Sequence, residues 1–191
     1  MVYGIYLSAQ SGAPLRWSYN NHKEIQFKSV ILFRHGKSDW DAKYDSDHDR
    51  PLAKRGIRDA KRMGKFLSKR AEVPELILSS TALRTKETTK LAMEAGNWDM
   101  DIEFEKKIYE ASLEEIINII KSQDNKYNSI CLVGHEPIFS TIITLIDNKK
   151  KIKFPTATMA RISFSTSDWK RVLLEPDKCK LDWFYKPKSI S

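Results

Sequence analysis

Val30-Ile31-Leu32-Phe33-Arg34-His35-Gly36 is the stretch that decides the fold. Four successive apolar residues, two of them β-branched, suit a central strand covered on both faces rather than an alternating surface strand. The run stops abruptly at an arginine and a histidine. In open α/β sheets ligands bind beyond the carboxyl ends of the strands, so the same stretch names a strand and a candidate site.

Working outward, Leu76-Ile77-Leu78 and Ile130-Cys131-Leu132-Val133 repeat the pattern. The first is followed by Ser79-Ser80-Thr81-Ala82-Leu83-Arg84 and the second by Gly134-His135-Glu136-Pro137. Between these runs lie segments of helical period. Ile57, Ala60, Met63, Gly64 and Leu67 define one apolar helix face, with Pro51 near its start. A second helix is expected from Ala82 to about Ala95, ended by Gly96. Ser112 with Glu115 forms a capping box opening a third, through about Ile120, and a fourth runs from about Ile138 to Ile146. Residues 102–109 alternate in strand fashion, and Thr158 to Phe164 and Lys170 to Leu174 read as two strands joined near Ser167-Asp168. The alternation predicts an α/β three-layer sandwich, a mostly parallel central sheet with helices on both faces.

At 191 residues, 41% hydrophobic and 30% charged, the chain has the size and composition of one ordinary domain. This excludes a wholly disordered chain, a fibrous repeat and a membrane protein. We expect a single domain over 29–191 and an N-terminal extension over 1–28, where Gly4, Gly12, Pro14 and Asn20-Asn21 interrupt any period and His22 has no pattern around it. No stretch approaches the roughly 18 apolar residues of a membrane span, and the first residues lack the apolar core of a signal peptide. Two cysteines, Cys131 and Cys179, cannot build a disulfide framework or a four-ligand zinc site, so a reducing, cytoplasmic location is expected. Cys131 reads as a small core residue.

The net charge of +8 invites a nucleic-acid reading, but its distribution is uneven. Residues 53–70 hold eight basic side chains and one acid, Asp59; residues 149–191 hold eleven basic and four acidic. The rest of the folded region is net acidic. A basic helix face plus a lysine-rich tail is either a solvated surface or a docking surface for an acidic partner. No nucleic-acid reader motif accompanies it.

The three strand ends bring two arginines and two histidines toward one rim. Arg34 and Arg84 offer planar forks matched to phosphate oxygens, and helix N-termini add backbone donors. A neutral histidine facing phosphorus could attack it, and nearby arginines favour neutrality.

With these residues in place, the chain resembles the histidine phosphatase superfamily, the clan of phosphoglycerate mutases and acid phosphatases. Arg34-His35-Gly36, Ser79-Ser80-Thr81-Ala82-Leu83-Arg84-Thr85 and Val133-Gly134-His135-Glu136 carry the likeness. Arg34-His35-Gly36-Lys37-Ser38 with Trp40, Asp49-Arg50-Pro51-Leu52 with Gly56, and Tyr109-Glu110-Ala111-Ser112 resemble its SixA-type phosphohistidine phosphatase branch. The likeness extends from about Lys28 to Lys188, through Pro155-Thr156 and Phe184-Tyr185-Lys186-Pro187.

The resemblance implies a phosphoglycerate mutase-like fold and a metal-independent, cofactor-free phosphohydrolase. It makes His35 the nucleophile that becomes phosphorylated, with Arg34, Arg84 and His135 holding the phosphoryl group. Arg50 either rims the pocket or pairs with a neighbouring Asp. Glu110 occupies the place of the leaving-group acid, with Asp39 and Asp47 as competitors. The implied substrate is a phosphohistidine on a partner protein; the basic surface either recruits an acidic carrier of it or keeps the domain soluble. A phosphatase of small phosphate esters, a mutase, and a catalytically silent phosphate-binding or docking module are the alternatives. His48 is expected to be an exposed loop residue, Trp40 and Trp169 packing anchors, and Trp183, Phe184 and Tyr185 a cover for a sheet edge or the core.

Overall fold

A computed structural model describes residues 27–147 and 152–190. His22, nearly all of the expected 1–28 extension and Lys149–Lys151 of the lysine run lie outside the described residues. Lys28, assigned to that extension, instead opens the first strand. Its side chain is buried and Nζ donates to Asn125 O at 2.7 Å, Tyr127 O at 2.8 Å and Asn128 Oδ1 at 3.0 Å.

Six strands form one sheet: β1 (Lys28–Arg34), β2 (Leu76–Ser79), β3 (Ile102–Phe104), β4 (Ser129–Gly134), β5 (Met159–Phe164) and β6 (Cys179–Tyr185). Their spatial order is β3-β2-β4-β1-β5-β6. The β3-β2, β2-β4 and β4-β1 pairs are parallel, and β5 is antiparallel to both β1 and β6. Among the described residues, four helices complete the fold: α1 (Lys54–Lys69), α2 (Leu83–Gly96), α3 (Leu113–Lys121) and α4 (Ile138–Asp147).

The continuous apolar runs of β1, β2 and β4 divide by parity, because successive side chains in a strand point to opposite faces. Val30, Leu32, Leu76, Leu78, Ile130 and Leu132 pack with Ile116 and Ile120 of α3 and Phe139, Ile142 and Ile143 of α4. Ile31, Phe33, Ile77, Cys131 and Val133 pack with Met63 and Leu67 of α1 and Ala92 of α2 on the other face. The expected three-layer sandwich is therefore the observed one, and Cys131 is a fully buried core residue. No described helix is long and apolar enough to cross a membrane.

Four local expectations are corrected. The strand placed at Lys170–Leu174 is a 3-10 turn at Trp169–Arg171 followed by loop, and the strand that pairs with β5 is β6. Trp169 accounts for this: it is fully buried and its Nε1 donates to Tyr127 O at 2.9 Å, while Asp168 caps the turn through Lys170 N–H. Strand pairing over 102–109 is confined to β3, since Lys106–Ile108 turns away as a 3-10 helix. Ile57 is exposed, because the buried stripe of α1 is Gly56, Asp59, Ala60, Met63, Gly64 and Leu67. Gly64 sets that rotation: α1 crosses α2 so closely that a Cβ there would strike the Ala92 carbonyl. Finally, α2 includes Gly96 and ends on Asn97 in the left-handed region (φ 54°). The Ser112–Glu115 capping box forms as expected.

Candidate active site

The end of β1 fixes His35. Its backbone N–H still pairs across the sheet with Gly134 O at 3.1 Å, and the next residue, Gly36, donates its N–H to Thr88 Oγ1 of α2 at 2.9 Å. A side chain at 36 would meet the Gly56 carbonyl at 2.8 Å, so α1 and the loop after β1 touch backbone to backbone. His35 Nδ1 lies 2.6 Å from Gly36 O. A carbonyl can only accept, so Nδ1 carries the proton and Nε2 keeps its lone pair. Burial, opposed by the Gly36 carbonyl and reinforced by the Arg84, Arg34 and Arg50 charges, pushes the imidazole down to about 3. The ring is neutral at physiological pH.

His135, after β4, faces it with ring centroids 5.2 Å apart. Burial first, then His35 and Arg84, push its imidazole down to about 3 as well, against the opposing pull of Asp47. His135 Nε2 is 2.9 Å from Ser80 Oγ, and Ser80 Oγ also accepts from Ala82 N–H at 3.4 Å. Among the described residues the Ser80 hydroxyl proton has one acceptor in reach, Nε2 of His135, and donating to it places the ring's own proton on Nδ1. Nδ1 is buried and has no protein partner.

Three arginines surround this pair. Arg34 Nη1 donates to Phe154 O at 2.7 Å. Arg84 Nη1 donates to the Asp47 carbonyl at 2.6 Å and Nη2 to Asp47 Oδ2 at 3.0 Å. Arg50 Nη2 reaches Asp47 Oδ1 at 2.7 Å, and its guanidinium stacks 3.4 Å above the Trp40 ring. Tyr109 donates its hydroxyl to Asp47 Oδ2 at 3.0 Å, and packs edge-on against His135. Although partial burial acts to raise it, the Tyr109 hydrogen bond and the Arg84 and Arg50 charges hold the Asp47 carboxyl below the usual range. Asp47 is therefore an ionised carboxylate, not a proton donor, in this arrangement.

Several donors here have no protein partner: Arg34 Nε, Arg50 Nε and Nη1, Arg84 Nε and His135 Nδ1. Buried polar groups are ordinarily satisfied, so their concentration around one neutral imidazole is a property of the site. The set matches a tetrahedral oxyanion in charge and donor number. Among the described residues, no group of three or more His, Cys, Asp or Glu is arranged to hold a metal ion. A groove of about 580 Å³ between α2 and β3 lies apart and shares no residue with this cluster.

The structure thus brings together His35, Arg34, Arg84, His135, Arg50 and Asp47. It does not bring in Glu110, which is exposed in a left-handed turn (φ 59°) and bonds to no member of the cluster. Asp39 closes a turn onto Asp41 N–H at 3.0 Å. Trp40 is 62% exposed and is a platform for Arg50 rather than a packing anchor, whereas Trp169 is the anchor expected. His48 is half-buried, 2.9 Å from Thr81 Oγ1 and edge-on to Tyr109. Tyr109 and Ser80 are site residues that sequence reasoning did not single out, though both stand in the quoted motif blocks.

Residues 30–127, more than half of the chain, match the family model of the histidine phosphatase superfamily (branch 1). The chain belongs to that superfamily. It is 32% identical over 174 residues to an uncharacterized chloroplastic protein of Arabidopsis thaliana, covering 85% of this chain and 79% of that one. Among solved structures it is similar to SixA from Agrobacterium tumefaciens, with a TM-score of 0.70, 28% identity, and 84% and 98% of the two chains covered. A protein histidine phosphatase SixA complexed with tungstate gives a TM-score of 0.70 at 19% identity, covering 84% and 97%, and shares the fold. The architecture is the phosphoglycerate mutase-like one. Arg34, His35, Arg50 and Arg84 fall inside the family match, and His135 lies beyond it, so its place beside His35 rests on the β1-β4 pairing.

Proposed function

We propose that this histidine phosphatase superfamily member is a metal-independent phosphohydrolase working through a phosphorylated His35, and that its substrate is a phosphohistidine on a protein. The observation that carries the reading is the His35 ring: Nδ1 is bonded to Gly36 O, which leaves the Nε2 lone pair free, and the ring is close enough to Arg84, Arg34 and Arg50 to feel their charges. In the first step Nε2 attacks phosphorus in line with the leaving nitrogen. The new N–P bond forms as the substrate N–P bond breaks, and the electron pair departs with the substrate imidazole, whose other ring nitrogen already carries a proton taken from solvent. Water then attacks the phosphoryl group on His35, its proton passes to the released phosphate, and the ring is restored. The arginines and His135 Nδ1–H meet the charge on the equatorial oxygens.

The state of the carboxylates that the sequence offers as acids supports this substrate class. Asp47, the carboxylate bonded to the arginines, is held ionised, and Glu110 is exposed and unengaged. A phosphohistidine takes a solvent proton on its other ring nitrogen near neutral pH and so leaves as neutral imidazole without an enzymatic acid, whereas an alkoxide needs an acid in place. Hydrolysis of small phosphate esters is the second reading, with Glu110 as its acid. The two free cysteines, Cys131 and Cys179, accord with a reducing compartment such as the cytoplasm. Comparing kcat/KM on free phosphohistidine and on an alkyl phosphate, each with and without EDTA, tests the proposal. We expect at least a hundredfold preference for phosphohistidine, unaffected by EDTA; equal rates on both, or loss in EDTA, would overturn it.

A further inference from the structure

The face of α1 turned away from the sheet carries a row of cations. Lys54, Arg58, Lys61, Lys65 and Lys69 are all exposed and recur every three or four residues, so they form a single stripe. At 1.5 Å per residue the stripe is about 22 Å long. The helix holds one acid, Asp59, which is buried and shared by Arg55 at 3.5 Å and Arg58 at 3.1 Å. Lys54, Lys61, Lys65 and Lys69 pair with no carboxylate among the described residues. The first turn opens on Lys54-Arg55 with no acid, against the preference of the helix dipole, and like charges one turn apart repel. The stripe therefore costs the helix stability, and among the described residues it is offset only where Asp59 meets Arg58.

One end of the stripe is at the pocket. Ala53 N–H donates to Lys37 O at 2.9 Å, and Gly56 packs on the backbone at Gly36 and Lys37, directly after His35. Lys37 is exposed and extends the positive track to the pocket mouth. Near the middle of the helix the Pro187–Ser189 turn packs on α1, where Arg62 donates to Ile190 O and Lys188 adds another exposed cation.

We infer that this stripe docks the acidic surface of the protein that carries the phosphoryl group, so that its phosphohistidine enters the pocket. The inference rests on the phosphohistidine reading above. Charge complementarity names an acidic occupant, and the continuity of the stripe with Lys37 and His35 makes it the substrate's own carrier. A nucleic acid fits less well, because α1 itself offers no exposed aromatic for stacking. A membrane fits less well, because Ile57, 37% exposed, is the sole large apolar side chain exposed on α1.

The test is the triple variant Lys61→Glu, Lys65→Glu, Lys69→Glu, all outside the pocket, with Lys→Gln at the same sites as a milder control that keeps helix propensity. The probes are free phosphohistidine and an acidic histidine-containing carrier domain phosphorylated with phosphoramidate. On the carrier, KM should rise at least tenfold and lose its salt dependence, with the Gln variant intermediate; on free phosphohistidine, kcat/KM should stay within twofold. The unphosphorylated carrier should bind the wild type in a salt-sensitive way and the Glu variant at least tenfold more weakly. Unchanged carrier kinetics, equal losses on both substrates, or tighter binding to a 20-mer RNA or to phosphatidylserine vesicles than to the carrier would overturn the docking inference. Failure of the wild type to hydrolyse either phosphohistidine would sink the functional reading instead, and carrier binding alone would then decide the docking.

Discussion

Asp47 binds Arg84 twice, through its carboxylate at 3.0 Å and its carbonyl at 2.6 Å, while the other carboxylate oxygen takes Arg50 at 2.7 Å. One residue of the loop after β1 thus occupies the donors of two guanidinium groups in the cluster. A phosphoryl group entering the pocket competes with this carboxylate for the same forks. Asp47→Asn keeps an acceptor for Arg84 and Tyr109 but removes the charge. We predict that tungstate inhibition tightens about fivefold, roughly 1 kcal/mol, as expected for deleting one like charge near a partly exposed anion site. Inhibition constants for the two proteins check this, and weaker inhibition in the variant would contradict it.

Ser80 holds His135 through a 2.9 Å contact to Nε2. Removing the hydroxyl leaves the imidazole without the bond that places its proton on Nδ1. Ser80→Ala should lower kcat about tenfold, with KM changed less than twofold, because the contact matters most to developing charge. The imidazole 15N shifts of His135 supply a readout that simple packing loss does not move: Nδ1-protonated in the wild type, a mixture of tautomers in the variant. An unchanged tautomer would remove Ser80 from the account.

Both histidines are held near 3 in the folded chain, against an ordinary value near 6.5. As pH falls, the unfolded chain takes up their protons first. The stability they carry is complete above about pH 6.5 and is lost as pH falls toward 3. Between pH 7 and 4.5 the double variant His35→Asn, His135→Asn should lose less stability than the wild type, by about 2 to 5 kcal/mol. Urea unfolding at the two pH values measures the difference, and parallel losses would contradict it.

Where strands end is readable from composition, because an apolar run must be buried and must stop where polarity begins. That logic places Arg34, His35, Arg84 and His135 at one rim before any coordinates. The loop from Lys37 to Ala53 is not readable in the same way. It holds Asp39, Asp41, Asp45, Asp47 and Asp49, and the choice of Asp47 as partner of Arg84 depends on the path of the chain. That path is set by the Ser38–Leu52 bridge, Asp39 N–H to Pro51 O at 2.9 Å and the 3-10 turn at Asp47–Asp49. Ser80 and Tyr109 escape for a related reason: each acts on a residue more than 25 positions distant, and a local pattern records no such pairing. At Trp169 the apolar character of the segment reports burial correctly, but burial in a capped turn and burial in a strand leave the same local signal.

The account turns on the phosphorylated state of His35. Rapid quenching of the enzyme with radiolabelled phosphohistidine into alkali, followed by peptide mapping, measures it directly. The account predicts an acid-labile, alkali-stable phosphoryl group on His35 that forms and decays within the turnover time, and at least a thousandfold loss of activity in His35→Ala. A burst of label on another residue, or full activity in His35→Ala, would contradict it.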